Sequence, residues 1–437
     1  MYRQNRYDAC IKEVKSKLKK FPNSLHLLNY QAMAYSALKR DKEALESYQK
    51  IIKKDPSLAG PYYNMGIILK RNGRVEEAID SYNKAISLKP DYVQAYNNLG
   101  VLYKDNEKYE NAITMFMKAK ELQPDHQNSY YNLALIKKEQ GLDEEAVELL
   151  LKVLDINPEH GEANYLNFLV ILRSGYFREG WKYYEFRWKI SPGKDVIWPF
   201  EDKPLWSGEE GKRVALWREQ GIGDDIIFLS LVSEAKKMSN SLSVYVDPRL
   251  HSLCRRAMPE INFVNDMEEL KEVESDYHLP LGSVPGLIRN DISDFDRTVT
   301  GYFKADPQRV EAIRNELGLD GKAVIGVSWK SFESLNHTKK SIHLRDMERI
   351  FTGLDIVLVN LQYGDVDEEI REFKEATGID VLQCASVDNR EDLDGLAALI
   401  EACDIVVSIT NVTVHMAGAL AKETWVLLPY VANFWWL

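Results

Sequence analysis

Four short segments in the second half of the chain carry residue types that could do chemistry. Glu219-Gln220-Gly221-Ile222-Gly223-Asp224-Asp225 joins two glycines, Gly221 and Gly223, to two carboxylates. The glycines permit close backbone approach, and either Asp224 or Asp225 could serve as a general base. Gly326-Val327-Ser328-Trp329-Lys330, followed at a distance by Lys339-Lys340-Ser341-Ile342-His343, supplies the hydroxyl of Ser328 and the ammonium groups of Lys330 and Lys340, a set suited to a diphosphate. Gln362-Tyr363-Gly364 offers an amide and a phenol that could hold a nucleobase or a ribose. Thr410-Asn411-Val412-Thr413-Val414-His415 places a capping side chain, Asn411 or Thr413, before unbonded backbone N–H groups that would meet a phosphate, with His415 one turn in.

Each segment also has a purely structural reading. Asp224 or Asp225 could simply cap a helix, and a helix start lowers a carboxylate pKa, which makes a weak base unless something else raises it. The lysines could be solvated. Asp365-Val366-Asp367 has the outline of a metal-binding pair, but acidic residues are ordinary in a helix's first turn, so no metal is expected there.

The elements around these segments explain their placement. From Arg213 onward, short apolar runs alternate with amphipathic helices, the pattern of βα units and a parallel sheet. Strands are expected at 213–217, 242–246, 324–328, 356–361, 381–384, 405–409 and 425–428, with helices at 224–238, 344–353, 366–376, 391–402 and 412–421. All four segments then fall in strand-to-helix loops, where doubly wound sheets bind ligands.

The first half follows another rule. Pro22, Pro56, Pro90, Pro124, Pro158 and Pro192 stand 34 residues apart. Ala44, Ala78, Ala112, Ala146 and Gly180 keep the same interval, as do Tyr48, Tyr82, Phe116, Leu150 and Tyr184. Tyr62, Met65, Gly66 and Leu69 return one period later as Tyr96, Leu99, Gly100 and Tyr103. This resembles the tetratricopeptide repeat, an α-solenoid of stacked helix pairs whose concave surface usually holds a peptide or protein. The array opens on a lone second helix with Cys10 at the small-residue position. If that helix is unsealed, Cys10 and Ile11 are exposed and self-association through the N-terminal repeat is expected. The fifth unit drifts, with Asn167 and Phe168 in place of the Leu-Gly pair.

A net charge of -11 and a pI near 5.4 argue against a nucleic-acid partner. Cys10, Cys254, Cys384 and Cys403 form no CxxC pair, so neither a zinc site nor a disulfide framework is indicated. No export signal or apolar run of spanning length is visible, and a cytoplasmic location with no membrane span is expected.

Taken in order, GIGDD, GVSWKS, KKSIHL, LQYGD and ITNVTVHMAGALAKETWVLLPY resemble bacterial glycosyltransferases of the family 9 or heptosyltransferase-like type. The resemblance implies a GT-B module of two Rossmann-like domains and the following division: a repeat array over 1–192, a connector over 193–212, an acceptor domain over 213–306 and a nucleotide-sugar donor domain over 307–437, lacking its final helices. It further implies inverting, metal-independent transfer from a nucleotide-sugar without a cofactor, with Asp224 as base. Gly221, Gly223 and Asp225 would line the acceptor side. Ser328, Lys330, Lys340, Asn411, Thr413 and His415 would hold the diphosphate, and Gln362 and Tyr363 the nucleoside. Where the family usually carries an Asp-Thr pair before its last helix, this chain has Thr410-Asn411. The alternative is an adaptor whose repeats bind a protein and whose degenerate module does no catalysis.

Overall fold

The structure, a computed structural model, describes residues 6–189, 198–295, 301–319, 321–331 and 341–428. The chain divides into two compact units, Met1–Val170 and Ile171–Leu437.

The first unit is a helical solenoid. After a single helix, Tyr7–Lys20, come the pairs Leu25–Ala37 with Asp41–Lys54, Ala59–Arg71 with Val75–Leu88, Val93–Asp105 with Tyr109–Leu122, and Gln127–Glu139 with Asp143–Ile156. The small residues do what their spacing suggests. Ala44, Ala78, Ala112 and Ala146 are fully buried where paired helices cross, and a Cβ built on Gly66 or Gly100 would lie 2.6 Å from the ring of Tyr82 or Phe116. The turn inside each pair needs one residue of positive φ, met by Lys39, Gly73, Glu107 and Gly141, and by Gly175 between the helix Gly161–Arg173 and its partner Phe177–Tyr184, again one period apart. Glycine holds that conformation without strain, whereas Lys39 and Glu107 do not. The expected exposure of Cys10 and Ile11 is overturned. They are 7% and 5% exposed, because the first helix packs them against the helix Leu25–Ala37 and the self-association argument loses its basis.

The second unit contains the last repeat helix, Phe177–Tyr184, a 3-10 turn at Glu185–Lys189 and two all-parallel sheets. The first sheet comprises β1 (Arg213–Trp217), β2 (Ser241–Tyr245), β3 (Asn262–Val264) and β4 (Tyr277–Pro280), in the order β3-β2-β1-β4. The second comprises β5 (Ala323–Ser328), β6 (Ile356–Asn360), β7 (Val381–Leu382), β8 (Ile405–Ile409) and β9 (Thr424–Leu427), in the order β7-β6-β5-β8-β9. Near-continuous burial along β1, β5 and β8 is what a parallel strand covered on both faces requires. In both sheets the strand order reverses beside the opening strand, β1 or β5, and a crevice opens beyond the strand ends at such a reversal.

Two expected helices differ. The segment 224–238 forms two helices, Ile222–Leu229 and Val232–Met238, and between them the Ser230 and Leu231 N–H groups bond only three residues back, to the carbonyls of Ile227 (3.2 Å) and Phe228 (3.0 Å). The segment 344–353 is a 3-10 turn, Leu344–Met347, running into the single helical turn Glu348–Phe351. Among the described residues no helix is long and apolar enough to cross a membrane.

Candidate functional site

At the reversal of the first sheet, Gly221 is the extended residue before the helix Ile222–Leu229. Asp224 lies in that helix's first turn, partly exposed, and its Oδ2 accepts from the Gly221 N–H at 3.2 Å, closing the helix start. Asp225 turns inward and is 2% exposed. Its Oδ2 accepts from the Asp247 N–H (3.1 Å) and pairs with Arg218 Nε (2.8 Å). Arg218 in turn reaches Asp247 (3.1 Å), which Arg249 holds from the other side (2.9 Å). Burial pushes the Asp225 carboxyl up to about 7 against the pull of Arg218. Asp225 therefore supports the loop from beneath, and of the two carboxylates Asp224 is the one with surface.

The reversal of the second sheet is fastened by a buried polar network. Ser328 Oγ donates to Gln362 Oε1 (3.0 Å), and that oxygen also accepts from the N–H groups of Trp329 (2.9 Å) and Lys330 (2.7 Å). Asn411 Nδ2 donates to Ser328 Oγ (2.7 Å), while its Oδ1 accepts from Val414 N–H (3.4 Å) as the helix cap. Thr413 Oγ1 donates to the Leu361 carbonyl (3.4 Å). Ser328, Gln362, Asn411 and Thr413 are all buried, so their side chains fix the loops relative to one another. Gln362 in particular spends its amide inside the protein, since its Nε2 donates to the Tyr363 carbonyl (3.0 Å).

Lys330 is ion-paired with Glu369. Burial works against the Glu369 charge, but Lys330 and the Leu344 N–H (3.0 Å) hold its carboxyl below the ordinary value. Lys340 lies outside the described residues. Asp365 and Asp367 are exposed, Asp367 in the first turn of the helix Asp367–Thr377, in keeping with the structural reading.

The fold brings the glycine-containing helix start at 221–225 and the helix start at 411–415 together. A Cβ on Gly223 would lie 3.4 Å from His415 Cδ2 and 3.8 Å from Val412 Cγ2. Beside this contact Ile222, Arg249, Tyr363, Arg390 and Val412 line a small pocket. A larger groove of about 720 Å³ lies past the ends of β6 and β7, with Tyr363, Gln383, Ser386, Asn389 and Arg390 on its walls. Sequence reasoning missed Asn389 and Arg390. Asn389 Nδ2 bonds the carbonyls of Asn360 (3.1 Å) and Gln362 (3.2 Å), and the Arg390 carbonyl accepts from Arg249 Nη1 (2.9 Å) across to the first sheet.

A second set was missed in the repeats, although its signal is the period already in use. Asn64, Asn98 and Asn132 stand 34 residues apart, as do Lys70, Lys104 and Lys138. Successive first helices lie side by side, so these residues share one face. Asn98 donates to the Tyr63 hydroxyl (3.1 Å), and Asn132 repeats the contact on Asn97 (3.2 Å), forming a polar ladder along that face. Lys70 and Lys104 both meet Asp105 (2.8 and 3.1 Å).

Residues 30–57, 47–80 and 91–159 match the tetratricopeptide repeat family, and 68–107 the TPR repeat. The first unit is thus a tetratricopeptide-repeat array. Protein FlbA of Caulobacter vibrioides is 30% identical over 281 residues, 59% of this chain and 46% of FlbA. The chain spans about half the length of that curated relative. Among solved structures, MamA is 27% identical with a TM-score of 0.34, covering 37% of this chain and 94% of its own. YrrB, described as a TPR protein with an unusual peptide-binding site, is 19% identical at 0.34, covering 41% and 93%. PilW, a type IV pilus biogenesis factor, is 20% identical at 0.40, covering 44% and 90%.

Proposed function

We propose that this chain is a repeat-guided glycosyltransferase: the array binds a protein or peptide, and the α/β unit, of GT-B type, moves a sugar from a nucleotide-sugar donor onto an acceptor hydroxyl. The observation that carries the reading is the packing of the helix Ile222–Leu229, which bears Gly223, against the helix Val412–Ala419, which bears His415, and this joins the reversal points of the two parallel sheets. Asp224 takes the acceptor proton, the freed oxygen bonds to the anomeric carbon from the far side, and the carbon–oxygen bond to the diphosphate breaks with inversion. The helix start at Val412, His415 and Lys330 meet the charge that develops on the leaving diphosphate. Lys330 would then exchange Glu369 for phosphate. The groove beside Tyr363, Asn389 and Arg390 has the size and mixed lining of a nucleoside site. Along the array, the half-buried Asn64 and Asn98 stand on the shared face of the first helices, where an extended peptide could meet their amides.

One observation favours the second reading, an adaptor with a non-catalytic module. Asn411, which follows Thr410 where the resembled family carries its carboxylate, is committed to Ser328 and the Val414 cap. Calorimetric titration of the chain with UDP, GDP, ADP, CMP and dTDP tests the donor site on which the first reading depends. Saturable binding of one nucleotide, lost in His415→Ala, supports the transferase, whereas no heat with any of the five sinks the donor site.

A further inference from the structure

The loop 219–225 is gripped by residues that the 34-residue register assigns to the fifth repeat. We infer that Arg187 and Tyr184 are positioning residues for this loop, fixing the place of Asp224 through Glu219 and Gln220. The inference rests on the transferase reading only for what Asp224 then does.

The geometry is specific. Arg187 Nη2 donates to Glu219 Oε1 (3.1 Å) and to Ser283 Oγ (2.7 Å), and Nη1 donates to the Tyr184 carbonyl (3.3 Å) and to Glu185 (2.9 Å). The guanidinium lies over the rings of Tyr184 (4.2 Å) and Trp188 (4.4 Å). The Arg187 and Glu219 side chains are 8% and 5% exposed, so this is a desolvated pair whose partners depend on each other. Arg187 Nε is buried without a hydrogen-bond partner, a cost set against holding the guanidinium in this one place.

Tyr184 accepts a hydrogen bond from Gln220 Nε2. Glu219 also accepts from the Gly282 N–H (3.2 Å), and a Cβ on Gly282 would fall 2.4 Å from Glu219 and 3.0 Å from Tyr184. A side chain at this position would have to displace these groups. The helix bearing these groups is itself seated, with Trp181 Nε1 donating to the Arg289 carbonyl (2.6 Å) and its Cβ 3.4 Å from a Cβ on Gly286. The ends of β1 and β4, where the first sheet reverses, are therefore walled by the last repeat helix and the turn after it.

The test is hydrogen exchange by mass spectrometry on the full chain, comparing wild type with Arg187→Met, Glu219→Gln, the double variant and Tyr184→Phe. Arg187→Met should speed exchange at amides 220–225 about tenfold while β2 and β3 keep their protection. Burial pushes the Glu219 carboxyl up, so this effect should shrink as pH falls and the unpaired charge is neutralised. The double variant should regain protection because no buried charge is left alone. Tyr184→Phe, which removes one hydroxyl, should loosen only the start of the loop. Unchanged exchange at 220–225 in Arg187→Met, or loosening shared equally with β2 and β3, would overturn the inference. If wild type moves no sugar, the transferase reading fails while the exchange data still decide this one. If it does, Arg187→Met should lower kcat and leave nucleotide affinity unchanged.

Discussion

Gly223 and His415 face each other where the helices they open pack together: a Cβ at the glycine would stand 3.4 Å from the imidazole Cδ2. The contact sets the loop that carries Asp224 against the helix start that begins at Val412. Under the transferase reading, the group that accepts the proton and the groups that meet the diphosphate therefore belong to one small space, built by two separate sheets.

Asp224→Asn is expected to lower turnover by about a hundredfold to ten-thousandfold, the usual worth of a positioned base, with nucleotide affinity unchanged. Asparagine can still accept from the Gly221 N–H, so the helix cap survives. Steady-state transfer assays paired with titration calorimetry read both quantities, and normal turnover would remove Asp224 from the mechanism.

Asp225 predicts a pH dependence. Its carboxyl is raised from 3.8 to about 7 by burial, against the attraction of Arg218. The folded protein thus keeps a proton that the unfolded chain has lost, and this group's contribution to stability is full below 3.8 and fades as pH rises through about 7. All nine tryptophans lie at or beyond Trp181, so their fluorescence follows the second unit alone. Wild type should gain melting temperature over Asp225→Asn as pH is lowered from about 8 to about 5. A constant difference would contradict the assignment.

Gly100→Ala should destabilise the array by about 1–3 kcal/mol, because the new methyl meets the buried Phe116 ring at 2.6 Å. One unit further on, Ala134 faces the smaller Leu150, and both are fully buried. Adding Phe116→Leu to Gly100→Ala should restore most of the loss in denaturant unfolding followed by helical circular dichroism.

Asn167 stands where Leu99 and Leu133 stand in earlier units, is fully buried, and neither its Nδ2 nor its Oδ1 has a hydrogen-bond partner. Asn167→Leu should raise stability by about 1–3 kcal/mol, the cost of a buried unpaired amide. A loss on the same unfolding assay would mean that the amide serves something other than the fold.

Much of this was legible in the residues. The ends of β1 and β8 coincide with the apolar runs that suggested them, and the loops after β1, β5, β6 and β8 all lie at the carboxyl ends of strands, as alternation required. β3 and β4 escaped because a polar residue interrupts each apolar run: β3 opens on Asn262, and β4 carries His278, whose burial depends on Trp217 Nε1 donating to its Nδ1 (3.1 Å) from the neighbouring strand. The role of Gln362 was equally hidden. A glutamine at a strand end reads the same whether its amide faces a ligand or, as here, ties down Trp329 and Lys330. Arg187 and Glu219 lie 32 residues apart, and no local pattern marks two such charges as partners.

The two units also differ in how long a growing chain must wait for its contacts. The ladder bonds of the array join residues 35 positions apart, whereas the Val324 N–H finds its acceptor in Asp404, 80 residues later. Closing the longer loop carries the larger entropy cost, and domains generally fold as units in the order of synthesis. During translation the repeats can therefore consolidate on the ribosome while β5, already made, is still without β8. That interval, with an apolar strand edge uncovered, is when this chain most needs protection from its neighbours.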